Sequence, residues 1–342
     1  MQNAVKRLRL RLLLGTTLGL LAVVGLFRMG VIQFSMAAGL NSWSKTYFNP
    51  GEYLASPNCD GRAQCASGLI TAMSFNVLCG LCDRAHFDRF GERLPHLVDI
   101  IRRHDPDLLG LQEVAGAGEL KEVLAAFPRY RAVTYRFGSW VDADSALLYR
   151  KDLFEALDSG QMWLTPRPGL PFASAWAPLS IPRYVNWVYL RRKSNGFRFL
   201  YLNTHFDNHR VNKEMSADLF STIVNLLADH VPMVISGDFN LDSRSRWFTR
   251  LVSGITGAPL CEDAAALASR RTIVGNDPAG GMPAGKEFYT DPEHAIDHIL
   301  LAGPGRKEVY QWQEDLSVYG PAHRRPSDHP SVFAAFNLTL SD

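Results

Sequence analysis

The chain has 342 residues, of which 46% are hydrophobic and 20% charged, and its formal net charge is only +2. This composition is typical of a globular protein with enough apolar material for one large domain or two ordinary ones, and it excludes a disordered or repetitive chain. The small net charge excludes a global field that attracts polyanions, although it leaves room for a local basic cleft.

The N-terminal forty residues are basic and then apolar. Residues 1–11 carry four Lys and Arg residues, and the first acidic residue of the chain is Glu52. Residues 12–40 contain two uncharged runs and predict a membrane anchor or a signal sequence. The first run is shorter than the roughly 20 residues that a spanning helix prefers. Ser35-Met36-Ala37 resembles a signal-peptidase site but lies far beyond that run, which favours an uncleaved anchor over a cleaved secreted form.

The distribution of positive charge predicts the orientation of this segment. Because basic residues precede the apolar run, the positive-inside rule places the rest of the protein outside the cytoplasm, on the periplasmic or extracellular side.

A linker with two cysteines is predicted over residues 41–68, where Pro, Gly and Asn turn signals cluster. It contains Cys59 and Cys65, and Cys79 and Cys82 follow as a C-x-x-C pair. In an exported protein both close pairs are compatible with local disulfides, which would leave Cys261 over. A zinc site lacks further ligands at suitable spacing, and no thioredoxin-like pattern surrounds the C-x-x-C. We therefore expect structural disulfides, with the pairing left open.

Apolar strand-like runs alternate with amphipathic helical runs from Leu69 onward. Strands are predicted over 70–76, 107–114, 130–137, 145–149, 184–191, 197–205, 232–240, 295–301 and 332–336, and helices over 89–104, 119–127, 213–230 and 244–252. Residues 163–183 predict a long irregular loop, and 255–293 show little periodicity. The pattern favours an α/β sandwich of two packed sheets with outer helices, with residues 69–342 as one catalytic domain.

Polar residues stand at the ends of several predicted strands. Asn76 and His205 end two of them, Glu113 follows an apolar run, and Asp238 and Asn240 follow another. Residues two apart on an extended strand point the same way, so Asp238 and Asn240 can contact one small ligand. Because such side chains are seldom buried unless paired or metal-bound, they predict one shared site.

Six short motifs carry a resemblance to a known family. In chain order they are Ser74-Phe75-Asn76, Leu111-Gln112-Glu113-Val114, Asn203-Thr204-His205, Gly237-Asp238-Phe239-Asn240, Ile296-Asp297-His298 and Ser327-Asp328-His329. In this order they resemble the endonuclease/exonuclease/phosphatase family, which includes pancreatic deoxyribonuclease, abasic-site endonucleases, neutral sphingomyelinases and inositol polyphosphate 5-phosphatases. The resemblance covers about residues 69–340 and looks closest to bacterial members. It implies a DNase I-like, four-layer sandwich of two mixed β-sheets flanked by helices.

The resemblance also implies a metal site and a nucleophile. Glu113 would be the principal ligand of Mg²⁺ or Mn²⁺, with Asn76 and Asp328 completing the site. Asp238 would orient or deprotonate the attacking water, and Asn240 would hold a phosphate oxygen.

Further residues are expected to contact the phosphate or the substrate. His329, positioned by Asp297, would stabilise the pentacovalent transition state, and His205 would contact the same phosphate. Substrate-binding roles are expected for three more residues, namely Tyr149, Asn203 and Arg210. A core position for Tyr149 and a solvated turn for Arg210 are the alternatives.

The implied activity is hydrolysis of a phosphodiester by in-line attack of water, carried out by a membrane-anchored enzyme. A nucleic acid and a lipid headgroup diester are the leading substrates. The segment Leu241-Asp242-Ser243-Arg244 lacks the longer basic signature of the 5-phosphatases, which disfavours an inositide substrate. A non-catalytic binding module on the same fold is the alternative from another class. The sequence indicates no protein partner.

Overall fold

A computed structural model describes residues 16–22, 64–80, 82, 87–114, 118–134, 144–166, 175–177, 180, 183–254, 257, 259–276 and 295–341. Residues 16–22 are helical, and the remainder of the predicted anchor and most of the predicted linker lie outside these ranges. None of the helices within them is long and apolar enough to cross a membrane.

From Gln64 onward the described residues form fourteen strands and five helices. The strands are β1 (Gln64–Ala66), β2 (Ile70–Asn76), β3 (Leu108–Gln112), β4 (Tyr130–Val133), β5 (Ser145–Arg150), β6 (Phe154–Leu164), β7 (Arg183–Arg192), β8 (Arg198–His205), β9 (Met233–Asp238), β10 (Cys261–Asp263), β11 (Arg271–Val274), β12 (Asp297–Ala302), β13 (Arg306–Asp315) and β14 (Ser331–Ser341). The helices are α1 (Phe90–His104), α2 (Glu119–Ala126), α3 (Arg210–Leu227), α4 (Arg246–Ser253) and α5 (Ala264–Leu267).

These strands build two mixed sheets. One has eight strands in the order β11-β13-β14-β2-β3-β5-β4, with β1 also paired to β14, and the other has six in the order β10-β12-β9-β8-β7-β6. Each sheet combines antiparallel pairs with parallel ones, such as β2 with β3 and β8 with β9. The predicted α/β sandwich is confirmed.

Strand alternation produces the four layers. Ile70 and Ala72 of β2 face the other sheet, whereas Met73 and Phe75 face α1 and α2. Likewise Tyr201 of β8 points between the sheets, and its neighbours on the strand pack under α3 and α4. Because successive side chains of a strand point to opposite faces, each sheet is apolar on both faces and is covered on both.

Five strands were not expected from the sequence: β1, β6, β10, β11 and β13. β6, β10 and β11 are sheet edges, and residues 155–159 of β6 are exposed or half-buried. An edge strand with one solvated stretch carries too few apolar residues to show a clear period. β1 lies inside the segment predicted as a linker and pairs with the end of β14.

The cysteine prediction is confirmed for one pair. Cys79 and Cys82 form a disulfide, and Cys65 is also disulfide-bonded. Cys261 is a buried free thiol, as expected for the cysteine left over. Cys59 lies outside the described residues.

Candidate active site

The space between the two sheets changes from apolar to polar along the strands. On β9, Val234 lies in the inter-sheet core, and Ser236 and Asp238 follow on the same face. On β8, Asn203 and His205 stand beside Ser236 and Asp238 in parallel register. Two polar rows therefore follow the apolar core toward one end of the sandwich.

The first of these, here called the middle row, consists of Ser74, Gln112, Asn203 and Ser236, and its members are neutral and buried. Asn203 Oδ1 accepts hydrogen bonds from Gln112 Nε2 at 2.8 Å and from Ser236 Oγ at 2.9 Å. Its Nδ2 donates to the carbonyls of Leu111 and Ala146 at 3.1 and 2.9 Å. All four hydrogen-bonding positions of Asn203 are thus used within the protein, three of them to join the sheets, which corrects the substrate-binding role expected for it.

Gly110 permits this close approach of the sheets. A Cβ at Gly110 would lie 2.2 Å from Ser236 Oγ and 2.3 Å from Asn203 Oδ1. Only glycine leaves room for the middle row at this point.

The second row, here called the outer row, consists of Asn76, Glu113, His205, Asp238, Asp297 and His329 at the open end of the inter-sheet space. Asn76 Nδ2 donates to Glu113 Oε1 at 3.2 Å and to Asp238 Oδ2 at 3.1 Å. One buried amide therefore bridges two carboxylates that are far apart in sequence and belong to different sheets.

Glu113 stands one residue beyond β3 in a left-handed backbone conformation, with φ of 61°. Its backbone N–H donates to the carbonyl of Asp144 at 2.7 Å, and its Oε2 accepts from the N–H of Cys79 at 3.2 Å. Burial opposes its ionisation, but His205 and the bonds from Asn76 and Cys79 outweigh burial and lower the pKa of Glu113. A non-glycine residue with positive φ is strained, and such strain is common at functional sites.

Asp238 and Asp297 face each other directly across β9 and β12. Like charges in that arrangement repel, so the pair requires a cation nearby. His329 supplies one: its Nδ1 donates to Asp297 Oδ2 at 2.7 Å, and its Nε2 lies 3.8 Å from Asp238 Oδ2. Burial disfavours its charge, but Asp297 and Asp238 raise the pKa of His329 to about 10.

The two carboxyl groups of this pair titrate differently. Burial raises the pKa of Asp297, although His329 acts in the opposite direction. For Asp238 burial is outweighed by His205 and His329, together with hydrogen bonds from Asn240 and Asn76, and the pKa is lowered. Asp238 is therefore ionised and His329 protonated at neutral pH.

His205 occupies the other side of Asp238, with Nε2 3.4 Å from Asp238 Oδ2. Its Nδ1 donates to Asp144 Oδ1 at 3.0 Å and lies 3.1 Å from Arg183 Nη1, and Arg183 also forms an ion pair with Asp144. Burial, followed by the charge of Arg183, lowers the pKa of His205 to about 4. The two histidines beside Asp238 thus differ in charge at neutral pH.

Sequence reasoning did not assign Asp144 and Arg183 to the site. Each stands at the start of an antiparallel strand, where its residue type shows no periodicity. The register Gln112 to Ser145 sets Asp144 beside Glu113. An acid directly before a buried strand is the signal that was available for Asp144.

Asn240 and Asp328 lie at the margin of the outer row. Asn240 has φ of 51°, its N–H donates to Asp238 Oδ1 at 2.9 Å, and its Nδ2 donates to the carbonyl of Phe206 at 3.0 Å. Ser327 Oγ donates to the carbonyl of Asn76 at 2.5 Å, which holds Asp328 and His329 beside the end of β2. The buried Asp328 carboxylate contributes to the raised pKa of His329.

Tyr149 and Arg210 are not brought to the site. Tyr149 pairs with Leu108, at the end of β3 opposite Gln112, and lies in the inter-sheet core. Arg210 begins α3 with its side chain 77% exposed and paired with Glu214 one turn along the helix. These placements correct the substrate-binding roles expected for both residues and match the alternatives of core and solvated surface.

The outer row has the donor chemistry of a site for a hard divalent cation. Oxygen atoms of Glu113, Asp238 and Asp297 converge there with the Asn76 amide, and ligand atoms of Asp238, Asp297 and His329 lie within 4.8 Å of one another. Asp297 Oδ1 is buried and has no hydrogen-bond partner among the described residues. Carboxylate and amide oxygens are the ligands that Mg²⁺ and Mn²⁺ prefer, so the residues present fit such an ion.

Buried carboxylates and two histidines at one end of a mixed sandwich are the arrangement of a hydrolase that acts on phosphoester bonds. The family model of the Endonuclease/Exonuclease/phosphatase family matches residues 73–329. The chain belongs to this family, whose members are hydrolases that act on phosphoester bonds. Comparison with curated proteins finds no match.

Solved structures agree with this assignment. An endonuclease/exonuclease/phosphatase family protein from Bacteroides thetaiotaomicron is 25% identical with a TM-score of 0.65, and 80% of this chain and 98% of that chain are covered. A mannosyl-6-phosphatase of the same organism is 26% identical with a TM-score of 0.65, over 78% of this chain and 99% of the other. The human Nocturnin catalytic domain, with a bound sulfate anion, shares the fold at 19% identity and a TM-score of 0.57, over 78% and 94% of the two chains.

Proposed function

We propose that this protein is a divalent-metal-dependent phosphoesterase that hydrolyses a phosphodiester by in-line attack of water. One observation carries the proposal. An ionised Asp238, a protonated His329 and the Glu113 carboxylate, with the Asn76 amide bonded to both carboxylates, meet at one open end of the inter-sheet space.

Each of these residues has a role that its surroundings allow. Glu113 and Asn76, with Asp328, would hold Mg²⁺ or Mn²⁺, and the bound ion would supply charge neutralisation at the phosphate. Asp238 would accept a proton from the attacking water, because it is ionised and its carboxylate is fixed by Asn76 and Asn240.

The two histidines would serve the phosphate in different ways. His329, charged and held by Asp297, would donate to a phosphate oxygen as negative charge develops on it. Neutral His205, held by Asp144, would contact the phosphate from the other side. Asn240 would bind a further phosphate oxygen.

The substrate class has two candidates. A diester, in a nucleic acid or a lipid headgroup, is the first. A phosphomonoester is the second candidate, and the similarity to the mannosyl-6-phosphatase, at 26% identity, supports it.

We also propose that residues 12–40 anchor the protein in a membrane with its catalytic domain on the periplasmic or extracellular side. The Cys79–Cys82 disulfide supports this placement, since disulfides persist in oxidising compartments.

The test is hydrolysis by the purified full chain with Mg²⁺, with Mn²⁺ and with EDTA. Bis-p-nitrophenyl phosphate, p-nitrophenyl phosphate, plasmid DNA and sphingomyelin vesicles are assayed in parallel. We expect metal-dependent turnover that EDTA abolishes, and the substrate cleaved fastest names the class. Metal binding without turnover of any phosphoester would instead support a non-catalytic binding module.

A further inference from the structure

The loop that follows β2 supplies hydrogen-bond donors to the outer row. The N–H of Leu78 donates to Asn76 Oδ1 at 3.1 Å, and the N–H of Cys79 donates to Glu113 Oε2 at 3.2 Å. Cys82 Sγ packs 3.5 Å from the same Glu113 oxygen. The disulfide between Cys79 and Cys82 therefore lies directly against the carboxylate expected to bind metal.

Other contacts fix the loop as far as Gly80, whose N–H donates to Glu119 Oε1 at 2.8 Å. Arg93, which is buried, donates to the carbonyls of Val77 and Leu78 at 2.7 and 2.5 Å. Leu78 has φ of 56°, a conformation that costs free energy and persists only where the surroundings enforce it. At Cys82, the disulfide is the covalent constraint that closes the turn, in which the N–H of Cys82 also donates to the carbonyl of Cys79 at 3.1 Å.

We propose that the Cys79–Cys82 disulfide is a positioning element for the Glu113 carboxylate, so that the affinity of the site for its divalent cation depends on this covalent bond. This inference rests on the proposed function, in which Glu113 binds the metal.

The chemistry that would reveal the dependence is thiol–disulfide exchange. A dithiol reductant transfers two electrons and two protons to the pair; the S–S bond breaks, two cysteine thiols form, and the dithiol becomes a cyclic disulfide. Cys82 and its sulfur are then no longer held against the Glu113 carboxylate beside the Cys79 N–H. Loss of a contact that orients a ligand typically weakens metal binding about 10–100-fold.

The effect must also run in reverse. If the disulfide favours metal binding by a given factor, bound metal stabilises the disulfide against reduction by the same factor. A purely structural disulfide would change the melting temperature without this linkage.

The experiment compares the full wild-type chain with the Cys79→Ser/Cys82→Ser double variant. Mn²⁺ and Mg²⁺ dissociation constants are measured by calorimetry for each protein, oxidised and after dithiothreitol. The double variant is the matched control, because it keeps the Cys65 disulfide and loses only the pair in question.

We expect reduction to weaken metal binding by wild type about 10–100-fold. The double variant should bind as weakly as reduced wild type and should not respond to dithiothreitol. Mg²⁺ should raise the dithiothreitol concentration at which half of the Cys79–Cys82 pair is reduced. This concentration is measured by titration of the free thiols. If the double variant does not fold, this last measurement on wild type decides alone.

The possible failures are distinct. Equal metal affinity in oxidised and reduced wild type, with turnover intact, would overturn this inference alone. Absence of metal binding and of turnover in the oxidised protein would overturn the proposed function, and this inference with it.

Discussion

The middle row and the outer row lie next to each other on shared strands, yet they differ in charge. Asn203 and His205 are two residues apart on β8, as Ser236 and Asp238 are on β9. The middle row is neutral, and its Asn203 makes all its hydrogen bonds within the protein. The outer row sets the carboxylates of Asp238 and Asp297 face to face and leaves Asp297 Oδ1 without a partner among the described residues.

The two rows therefore have different roles: the middle row stabilises the packing of the sheets, and the outer row carries the charged groups of the candidate site. Neutral amides and hydroxyls that satisfy one another hold two sheets in register at little electrostatic cost. Buried carboxylates of like charge destabilise the fold unless a cation joins them. The comparison therefore predicts that substitutions in the outer row reduce activity and that those in the middle row reduce stability.

Asp238→Asn should have the largest effect. The amide cannot accept a proton from water, so we expect kcat/KM to fall about 10²–10⁴-fold. The melting temperature should fall only modestly, because the loss of a charge that its surroundings favour is partly offset by removal of the repulsion with Asp297. Asp229→Asn, at an exposed residue before the other end of β9, is the matched control. Wild-type turnover in Asp238→Asn would contradict the assignment.

Asn203→Ala should show the opposite profile. The substitution leaves buried groups of Leu111, Ala146 and Gln112 without their partner, at about 1–3 kcal/mol for each group left unpaired. Urea denaturation should therefore show a loss of several kcal/mol, while kcat per folded molecule stays within about threefold of wild type. Asn208→Ala, at an exposed position, is the control. A stable Asn203→Ala protein with lost turnover would reverse the distinction between the rows.

The two histidines should produce the smallest effects, which are changes in the pH dependence of stability in opposite pH ranges. The folded-state pKa of His329 is raised to about 10, so its contribution to stability is full below its unfolded value near 6.5 and is lost as pH rises toward 10. The folded-state pKa of His205 is lowered to about 4, so stability is lost as pH falls from about 6.5 toward 4.

His329→Gln and His205→Gln should each flatten one of these slopes, which cannot exceed about 1.4 kcal/mol per pH unit for one proton. Unfolding free energies measured in EDTA from pH 4 to 10 would check this. Identical pH profiles for the two variants would contradict the difference in charge between the histidines.

Much of the fold was predictable because its central strands are buried on both faces. Continuous apolar runs such as 232–236 and the amphipathic period of 89–104 correspond to β9 and α1. The edge strands β6, β10 and β11 were not predicted, because side chains that face solvent need not be apolar. Such strands therefore lack the periodic apolar residues by which a strand is recognised in a sequence.

The candidate site was predictable where a residue follows an apolar strand. Asn76, Glu113, His205, Asp238 and His329 were identified in this way or by motif, and the structure brings them together. Asn203 and Tyr149 were assigned to the substrate by resemblance to the family, and Arg210 because it closely follows His205. The first proved to join the sheets, the second to lie in the core, and the third to face solvent.

The sequence by itself determined the family, the two-residue spacing that puts chemical groups on one strand face, and the set of acids and histidines available. Only the tertiary structure decided which of them meet. Asp144 and Arg183 joined the site through strand register, and the disulfide came to lie against Glu113 through a turn after β2. The reason is physical. Periodicity in the sequence indicates the direction in which a side chain leaves its own strand. The residues that it contacts, and hence the pKa of its ionisable group, depend on the strand packed opposite.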